Sequence, residues 1–408
     1  DRLGGVDSPT FTRLIAPLEA QLPHLTPLSS KSNRPLTFTF AYQVRALVYY
    51  HTEAFLSDCR ELRLLAADVL CRATDHIPEQ IALVQKLEGK GFVYKTTDGL
   101  YFDTGRLPDY GKLMSKEHLE GLKSGARVEA NTEKRHMTDF ALWKFSPAGS
   151  TRQMEWDSPW GKGFPGWHIE CSAMAMRFLG ETLDIHCGGI DHVPVHHTNE
   201  IAQSEGATGK PFAKIWMHAE FLLMNNAKMA KSSGGFVKLS DLKDKGFSPL
   251  DYKYHCLTAH YRKQLDFTWE SLEGSKTARR RLKDTAQALT GETPKPGCAE
   301  FSKKFKDALA DDLNAPSALA VVWDALKSDL PGGAKKTFLQ EAEAVFALDL
   351  FTVETASDVP PNVLDLVGQR SQAKAKKDFA EADRIRKQIE DLGYLVKDGK
   401  DGAKAVKK

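Results

Sequence analysis

Short apolar segments alternate with helical segments between Met137 and Glu205, and this alternation limits the fold more than any other feature of the sequence. The segment Leu183–His186 predicts a buried strand, and the flanking segments Ile169–Leu179 and His196–Ser204 predict helices. Strands that alternate with helices are typical of a domain built around a parallel sheet. We therefore predict an α/β fold for the middle of the chain.

The second half of the chain changes to an almost wholly helical pattern from Leu239 onward. Three segments have the apolar spacing of helices in a bundle: Thr277–Lys283, Phe305–Leu326 and Lys336–Leu348. We place one domain boundary near Ser271. A linker is expected at residues 359–361, where valine is followed by two prolines.

Upstream of the α/β segment, the spacing of apolar residues between about Ala46 and Gly89 predicts two helices. A hairpin follows, because Asp98 and Gly99 supply turn residues between two short apolar runs. Residues 1–45 match no pattern that we can assign.

Composition excludes several classes of protein. A chain of 408 residues suits two or three domains, and its 41% hydrophobic and 27% charged residues are ordinary for a globular protein. No apolar run is long enough to span a bilayer. The net charge of +2 excludes a polycation, although residues 370–408 hold twelve basic and seven acidic side chains. Six scattered cysteines favour reduced thiols, and hence a cytoplasmic location.

Cys171, His196 and Glu200 form the strongest candidate for a chemical site. His196 and Glu200 are one helical turn apart, so both side chains leave the same face of the predicted helix. A thiolate, an imidazole and a carboxylate together are typical of zinc. The alternative is a buried cysteine beside a solvated pair on a helix.

Two loops could bind phosphate or a substrate amino group. Gly188 and Gly189 follow the predicted strand, where α/β folds place ligands, and Asp191 could hold an amino group. Lys228 and Lys231 lie in a loop rich in small residues, where ammonium groups can neutralise phosphate. The alternatives are an ordinary turn after a strand and a solvated basic turn.

Several motifs occur in one order along the chain, and together they are far more specific than any one alone. They are Pro165-Gly-Trp-His-Ile-Glu-Cys-Ser-Ala-Met174, Asp184-Ile-His-Cys-Gly-Gly-Ile-Asp191, His196-His-Thr-Asn-Glu-Ile-Ala-Gln-Ser-Glu205 and Lys228-Met-Ala-Lys-Ser232. This order resembles the cysteinyl-tRNA synthetases from about Tyr50 to the C-terminus.

The resemblance implies a class I synthetase with a Rossmann-like catalytic domain, a mainly helical stem and an anticodon-binding bundle. It implies a Zn²⁺ ion held by Cys171, His196 and Glu200, which binds the thiolate of the substrate cysteine. It also implies an amino-acid pocket lined by Trp167, His168 and Asp191. Finally, it implies an ATP site with Mg²⁺ that is formed by Gly188, Gly189, Lys228 and Lys231. Both lysines are implied to be catalytic.

The sequence departs from the family at its N-terminal end. The H-I-G-H type motif expected on the first βα turn is absent from the sequence, and His76-Ile77-Pro78-Glu79 is too late in the chain to replace it. The family's fourth zinc ligand is a cysteine near the N-terminus, and residues 1–45 contain none. The first half of the nucleotide fold is therefore expected to be incomplete.

We divide the chain accordingly into an unmatched segment (1–45), a Rossmann-like catalytic domain (46–238), a stem-contact region (239–270), an anticodon-binding bundle (271–358) and a basic helical tail (359–408). The expected activity is ATP-dependent formation of cysteinyl-adenylate and transfer of cysteine to tRNA(Cys), by a monomer that does not bind membranes. The alternative is a catalytically impaired tRNA- or zinc-binding paralogue or fragment. A ligase that joins cysteine to an amino-sugar would share the adenylation step but would not need the bundle.

Overall fold

The computed structural model describes residues 36–114, 132–147, 149, 152, 154–224, 227–228, 237–352, 359–399 and 402–407. The described chain divides into two compact units. The first holds residues up to Leu56, Ala66–Phe221 and Tyr261–Lys263, and the second holds Ser57–Leu65, Leu222–His260 and the chain from Gln264 onward. No described helix is both long enough and apolar enough to cross a bilayer.

Two helices and a four-stranded sheet begin the described chain. They are α1 (Leu36–Glu61), α2 (Ile77–Gly89), β1 (Val93–Thr96), β2 (Gly99–Phe102), β3 (Phe140–Phe145) and β4 (Gly163–Pro165). The prediction of two helices and a hairpin is confirmed, and Thr96 and Gly99 are paired across the turn. However, the apolar residues Leu65 and Leu70 lie in an exposed irregular segment between the helices.

The four strands form one antiparallel sheet in the order β1-β2-β3-β4. One face of α2 packs on this sheet, because Ile77, Val84 and Leu87 recur at helical spacing and are buried. Trp143 is fully buried in the same core. This core supports the helix that carries the first candidate metal ligand.

A parallel β-α-β arrangement follows. It comprises α3 (Trp167–Leu179), β5 (Leu183–Gly189), α4 (Thr198–Thr208) and β6 (Ala213–Ala219). Strands β5 and β6 pair in parallel, with Gly188 opposite His218. The predicted α/β fold is therefore present. The prediction of a buried strand at 183–186 is wrong for most of its length. Leu183 is buried, but Asp184 is exposed and Ile185 is 51% exposed, because among the described residues β6 is the one strand that pairs with β5.

The second unit begins with a small sheet and continues as helices. Its elements up to the bundle are β7 (Leu222–Met224), β8 (Ala227–Lys228), α5 (Leu239–Asp244), α6 (Pro249–Leu257) and β9 (Leu265–Phe267). The bundle contains α7 (Trp269–Ala288), α8 (Ala299–Ala310), α9 (Ala315–Lys327) and α10 (Gly332–Phe346). Its core includes Leu282, Phe305, Val322 and Phe338, all of them almost fully buried. The predicted helical half is thus confirmed.

The prediction of one helix over Phe305–Leu326 is wrong, because the chain turns between α8 and α9. Asp312 and Leu313 have φ angles of 54° and 53°, in the left-handed region that interrupts a right-handed helix. The side chain of Asn314 then caps α9 by accepting a hydrogen bond from the Ser317 amide at 3.2 Å. Apolar residues continue at helical spacing on both sides of the turn, so the sequence pattern does not reveal the break.

The tail of the second unit packs two helices on a hairpin. Its elements are α11 (Pro361–Ala375), α12 (Phe379–Asp391), β10 (Tyr394–Gly399) and β11 (Gly402–Lys407). Arg370 forms a bidentate ion pair with Asp398, at 2.9 and 3.1 Å, which links α11 to the hairpin. The expected linker at 359–361 instead starts α11, with Val359 buried in the core of this tail.

Candidate metal centre

Helix α3 positions Cys171. The helix begins at Trp167, directly after β4, and buries Ile169, Ser172 and Ala173. Gln203, a fully buried side chain on α4, donates a hydrogen bond to the Ser172 hydroxyl at 2.6 Å. The two helices are therefore joined through a buried polar contact close to Cys171, which is itself partly buried.

A π-helical turn, Val193–His197, positions His196 at the entrance to α4. The Thr198 hydroxyl donates to the Val193 carbonyl at 2.6 Å and closes this turn. π-Turns are rare and occur frequently at functional sites. His196 is 6% exposed, and Glu200, one turn later on α4, is completely buried.

Cys171, His196 and Glu200 converge, as the sequence predicts. One donor atom from each lies within 4.8 Å of the other two. His196 Nε2 is 3.8 Å from Glu200 Oε1. That carboxylate oxygen is buried and has no hydrogen-bond partner among the described residues. An unpartnered buried oxygen costs free energy unless a cation or donor satisfies it.

Two further histidines hold the candidate ligands in place. His168 Nδ1 is 3.0 Å from His196 Nδ1, and His186 Nε2 is 3.0 Å from Glu200 Oε2. Because a carboxylate accepts, the proton of the second contact belongs to His186. Both contacts leave the opposite atom of each ligand, His196 Nε2 and Glu200 Oε1, directed at the shared space. This arrangement is typical of the outer partners of a metal site.

Burial sets the protonation of the centre. Burial, with smaller effects from Glu200, Glu170 and Cys71, raises the pKa of Cys171 to about 12. Burial, helped by His196, lowers the pKa of His168 to about 3. Burial also lowers the pKa of His196, although Glu200 acts in the opposite direction. At neutral pH His168 and His196 are therefore neutral, so His196 can bind a cation, which must displace the thiol proton of Cys171.

This donor set fits zinc. Sulfur, nitrogen and oxygen donors are the ligands of Zn²⁺ in proteins, and three of them leave a further position open. A second group, His186, His197 and Glu200, shares the same carboxylate. In that group the 3.0 Å contact between His186 and Glu200 is an ordinary hydrogen bond, and His197 Nδ1 is 2.8 Å from His218 Nε2. We therefore assign the second group to orientation of the first.

The predicted substrate residues lie around this centre in different ways. Trp167 is 60% exposed, and its ring lies 4.5 Å from that of His196, centroid to centroid. His168 is buried and engaged with His196. Asp191 is half exposed and lies near His192, with 3.6 Å between Oδ1 and Nδ1. An exposed indole beside the ligands is suited to forming a wall of a pocket.

The structure describes three of the four residues that are predicted to bind phosphate. A Cβ atom at Gly188 would lie 2.5 Å from the His197 ring, so close packing against His197 is sufficient reason for glycine there. The Gly189 amide donates to His192 Nδ1 at 3.2 Å. Lys228 pairs with Leu223 as part of β8. Lys231 lies outside the described residues. An ATP role for these four residues stays a prediction.

Sequence reasoning missed the outer histidines. His186, His197 and His218 belong to β5, the π-turn and β6, and the parallel pairing of the two strands brings them together. Two of the motifs are rich in histidine, and this enrichment was the available signal. The helical spacing of His196 and Glu200 drew the interpretation to those two residues instead. Their proximity depends on strand register, which is not readable from one strand alone.

Two family models match the chain. The model described as the catalytic domain of class I (C) tRNA synthetases matches residues 37–277, and that of the cysteinyl-tRNA ligase anticodon-binding domain matches residues 356–404. Cysteine–tRNA ligase 1 of Burkholderia lata is 50% identical over 361 residues, which cover 88% of this chain and 76% of that protein. The cysteine–tRNA ligase of Treponema denticola is 38% identical over 388 residues, covering 87% and 79%.

A solved structure gives a weaker similarity. The crystal structure of Mycobacterium tuberculosis methionyl-tRNA synthetase bound by methionyl-adenylate matches with a TM-score of 0.47 and 16% identity. The match covers 77% of this chain and 74% of that one. Such a similarity is too low for a comparison of individual sites.

Proposed function

The chain belongs to the family of cysteine–tRNA ligases, and we propose that it joins cysteine to tRNA(Cys) at the expense of ATP. In the first step, a carboxylate oxygen of cysteine attacks the α-phosphate of ATP, giving cysteinyl-adenylate and pyrophosphate. In the second step, the 3′ end of the tRNA displaces AMP. Mg²⁺ accompanies ATP, whose phosphates it neutralises.

The feature of this chain that best supports selection of cysteine is the convergence of Cys171, His196 and Glu200 around a buried oxygen without a partner among the described residues. Zn²⁺ held by these residues would bind the substrate through its thiolate, and a hydroxyl is a much poorer ligand for such a site. Serine differs from cysteine by one atom, and a purely apolar pocket separates near-isosteres poorly.

The surrounding residues of the chain keep this centre ready for the substrate. His168 and His186 hold His196 and Glu200 through hydrogen bonds of 3.0 Å each, so that neither ligand has to reorient on binding. Trp167 presents its exposed ring next to His196, where it can cover the substrate and exclude water. Asp191 carries a carboxylate that suits the substrate ammonium group.

For the phosphates of ATP, we assign the two loops that the sequence singles out. The backbone at Gly188 and Gly189 lies at the carboxyl end of β5, the usual ligand position in α/β folds. Lys228 and Lys231 supply the positive charge that the leaving pyrophosphate requires. We further propose that the chain acts as a monomer.

Binding of tRNA is assigned to the helical half. The model for the anticodon-binding domain covers residues 356–404, which include α11, α12 and most of the final hairpin. Residues 370–408 hold twelve basic and seven acidic side chains, so this part can contact phosphates. A ligase that joins cysteine to a small acceptor would not need a tRNA-binding part, so its presence favours tRNA as the acceptor.

Cysteine-dependent exchange of pyrophosphate into ATP tests the proposal. We expect the purified chain to catalyse exchange with cysteine, and much more slowly with serine at equal concentration. Aminoacylation of tRNA(Cys) in the same preparation would test the second step. Zinc-loaded, folded protein that shows neither reaction would contradict the proposal and favour a protein that binds tRNA or zinc without catalysis.

A further inference from the structure

A turn-rich segment of the first unit, residues 107–114, contacts α4 and is called the strap below. Backbone hydrogen bonds of 2.8 to 3.1 Å fold it into successive turns, and Gly111 has a φ angle of 87°. Two side chains of the strap bond to α4. The Tyr110 hydroxyl donates to Asn199 Oδ1 at 2.6 Å, and the Lys112 ammonium pairs with Glu205. The strap therefore holds α4 at its first turn and again near its end.

The contact at the first turn is the more deeply buried of the two. Asn199 is 2% exposed, and the ring of Tyr110 packs against the core that also contains Ala202 of α4. Burial, with a smaller effect from Asp139, raises the pKa of Tyr110, so the hydroxyl keeps its proton and donates it. Loss of this donor leaves a buried amide oxygen that water reaches poorly, which is costly.

Asn199 lies between two of the candidate metal ligands in the sequence. It precedes Glu200 directly and follows His196 by three residues. Successive side chains of an α-helix leave it about 100° apart, so Asn199 and Glu200 point in different directions. Tyr110 is therefore outside the group of donor atoms, and it reaches the centre only through the backbone of the first turn of α4.

This turn of the helix needs support from outside. The π-turn Val193–His197 joins α4 at Thr198, so the winding of the chain changes between His196 and Glu200. π-Turns are rare, and such a change of winding has to be fixed by contacts with other segments. Zinc bonds to nitrogen and oxygen are about 2.0 to 2.2 Å long. Ligands of a working site must be held to within about 0.5 Å.

We propose that the Tyr110 hydroxyl is a positioning group of the metal centre, which fixes the first turn of α4 and thereby the distance between Glu200 and the other two ligands. This inference rests on the proposed zinc centre and extends it to a residue outside the motifs that carry the family resemblance. Tyr110 leaves the open coordination position to the substrate, because it donates to Asn199 and not to the ion.

Cobalt binding provides the test. The full chain is stripped of metal, reduced and titrated with Co²⁺ in the absence of cysteine and ATP, and the visible bands of the bound ion report both affinity and geometry. We expect Tyr110→Phe to bind Co²⁺ about 10-fold more weakly and with altered bands, since the ring is kept while the hydrogen bond is lost. In pyrophosphate exchange, the KM for cysteine should rise about 10-fold while the KM for ATP stays unchanged.

Tyr94→Phe is the matched control. The Tyr94 hydroxyl also donates to a buried acceptor of the first unit, Asp139 Oδ2 at 2.7 Å, but that acceptor is not on α4. Tyr94→Phe should therefore keep the wild-type cobalt affinity and bands, even if its metal-free form melts at a lower temperature. An equal loss of cobalt affinity in both variants would trace the effect to general destabilisation and overturn the role of Tyr110.

A double variant tests the route through Asn199. If Tyr110 acts through this side chain, Tyr110→Phe combined with Asn199→Ala binds Co²⁺ about as weakly as Asn199→Ala alone. Losses that multiply would overturn this route, as would a Tyr110→Phe protein with wild-type affinity and bands. Wild-type protein that binds no Co²⁺ overturns the zinc centre as well. Wild-type protein that binds Co²⁺ but does not catalyse exchange contradicts the proposed function, and the cobalt data still decide the role of Tyr110.

Discussion

The Nδ1 atoms of His168 and His196 lie 3.0 Å apart. One of the two must donate, and His196 needs its Nε2 lone pair if it is to bind a metal, so His196 carries its proton on Nδ1 and His168 accepts it. The buried ring of His168 is packed edge to face against Phe140. The orientation of a metal ligand is therefore set from the core of the first unit.

Replacement of His168 tests this orientation. We expect His168→Phe to lower zinc affinity about 10- to 100-fold, because the ring volume is kept while the acceptor for His196 is removed. Competition with a chromophoric chelator measures the affinity. Trp167→Phe is the matched control and should leave zinc affinity unchanged, since this exposed residue makes ring contacts only. Equal zinc affinity in His168→Phe and wild type would rule out the positioning role.

Replacement of Glu200 should affect the metal-loaded and metal-free proteins differently. In Glu200→Gln, the amide oxygen can still accept from His186, so we expect the metal-free protein to unfold within about 1 kcal/mol of wild type. Zinc stabilises the folded protein by a free energy that grows with the logarithm of its concentration relative to the Kd, and this stabilisation should largely disappear in the variant. Thermal unfolding with and without Zn²⁺ measures both. A full zinc-dependent increase in melting temperature in Glu200→Gln would refute the assignment.

A buried histidine of the second unit predicts a pH dependence of stability. Burial lowers the pKa of His255 below its ordinary 6.5, although Asp266 acts in the opposite direction. Below pH 6.5 the unfolded chain therefore takes up a proton that the folded chain refuses, so this contribution to stability is present above pH 6.5 and declines as the pH falls. We expect His255→Gln to lose less stability than wild type between pH 7 and about pH 5. Parallel pH profiles would contradict this origin.

The cap of α9 predicts a local contribution to stability. Asn314→Ala removes the acceptor for the Ser317 amide and should lower the free energy of unfolding by about 1 kcal/mol. Asn314→Asp keeps an acceptor oxygen and should stay close to wild type. Urea denaturation measures both variants. A similar loss in Asn314→Asp would show that the turn, and not the cap, needs asparagine.

Binding of tRNA should depend steeply on salt. Phosphate contacts release counterions, so the logarithm of the affinity should fall linearly with the logarithm of salt concentration. Lys376 and Lys387 are exposed lysines of the tail, and their replacement by glutamine should reduce the slope by about one for each phosphate that the tail no longer neutralises. Lys90→Gln, which replaces an exposed lysine of the first unit, is the control for general charge. Affinity that does not respond to salt would exclude this mode of binding.

The sequence indicates the convergence of the candidate ligands because His196 and Glu200 are four residues apart, across the junction of the π-turn with α4, and Cys171 belongs to a family motif. Cys171, His196 and Glu200 meet as expected. The supporting histidines could not be predicted in the same way, since His186 and His218 meet the others through the pairing of β5 with β6. A contact between distant segments depends on register, whereas a contact within a helix depends on spacing alone.

The fold also shows that features set by spacing within one helix can be predicted, whereas features set by neighbouring segments cannot. Helical spacing correctly indicated the bundle, since one face of each helix must be apolar whatever its partner. It failed at Asp312 and Leu313, where two residues with positive φ break the helix while apolar residues continue on both sides. It also failed for Ile185, whose apolar side chain suggested burial, although the burial of a strand depends on the strands and helices beside it.

The positions of the histidines at the candidate metal centre depend on the number of residues in the π-turn Val193–His197. Consecutive residues of an ordinary helix diverge, yet here His196 and His197 are both buried and both face histidine neighbours, His168 and His218. A one-residue deletion in this stretch would restore the usual winding and turn one imidazole away from its neighbour. An insertion or deletion here should therefore disturb the centre even where every candidate ligand is kept.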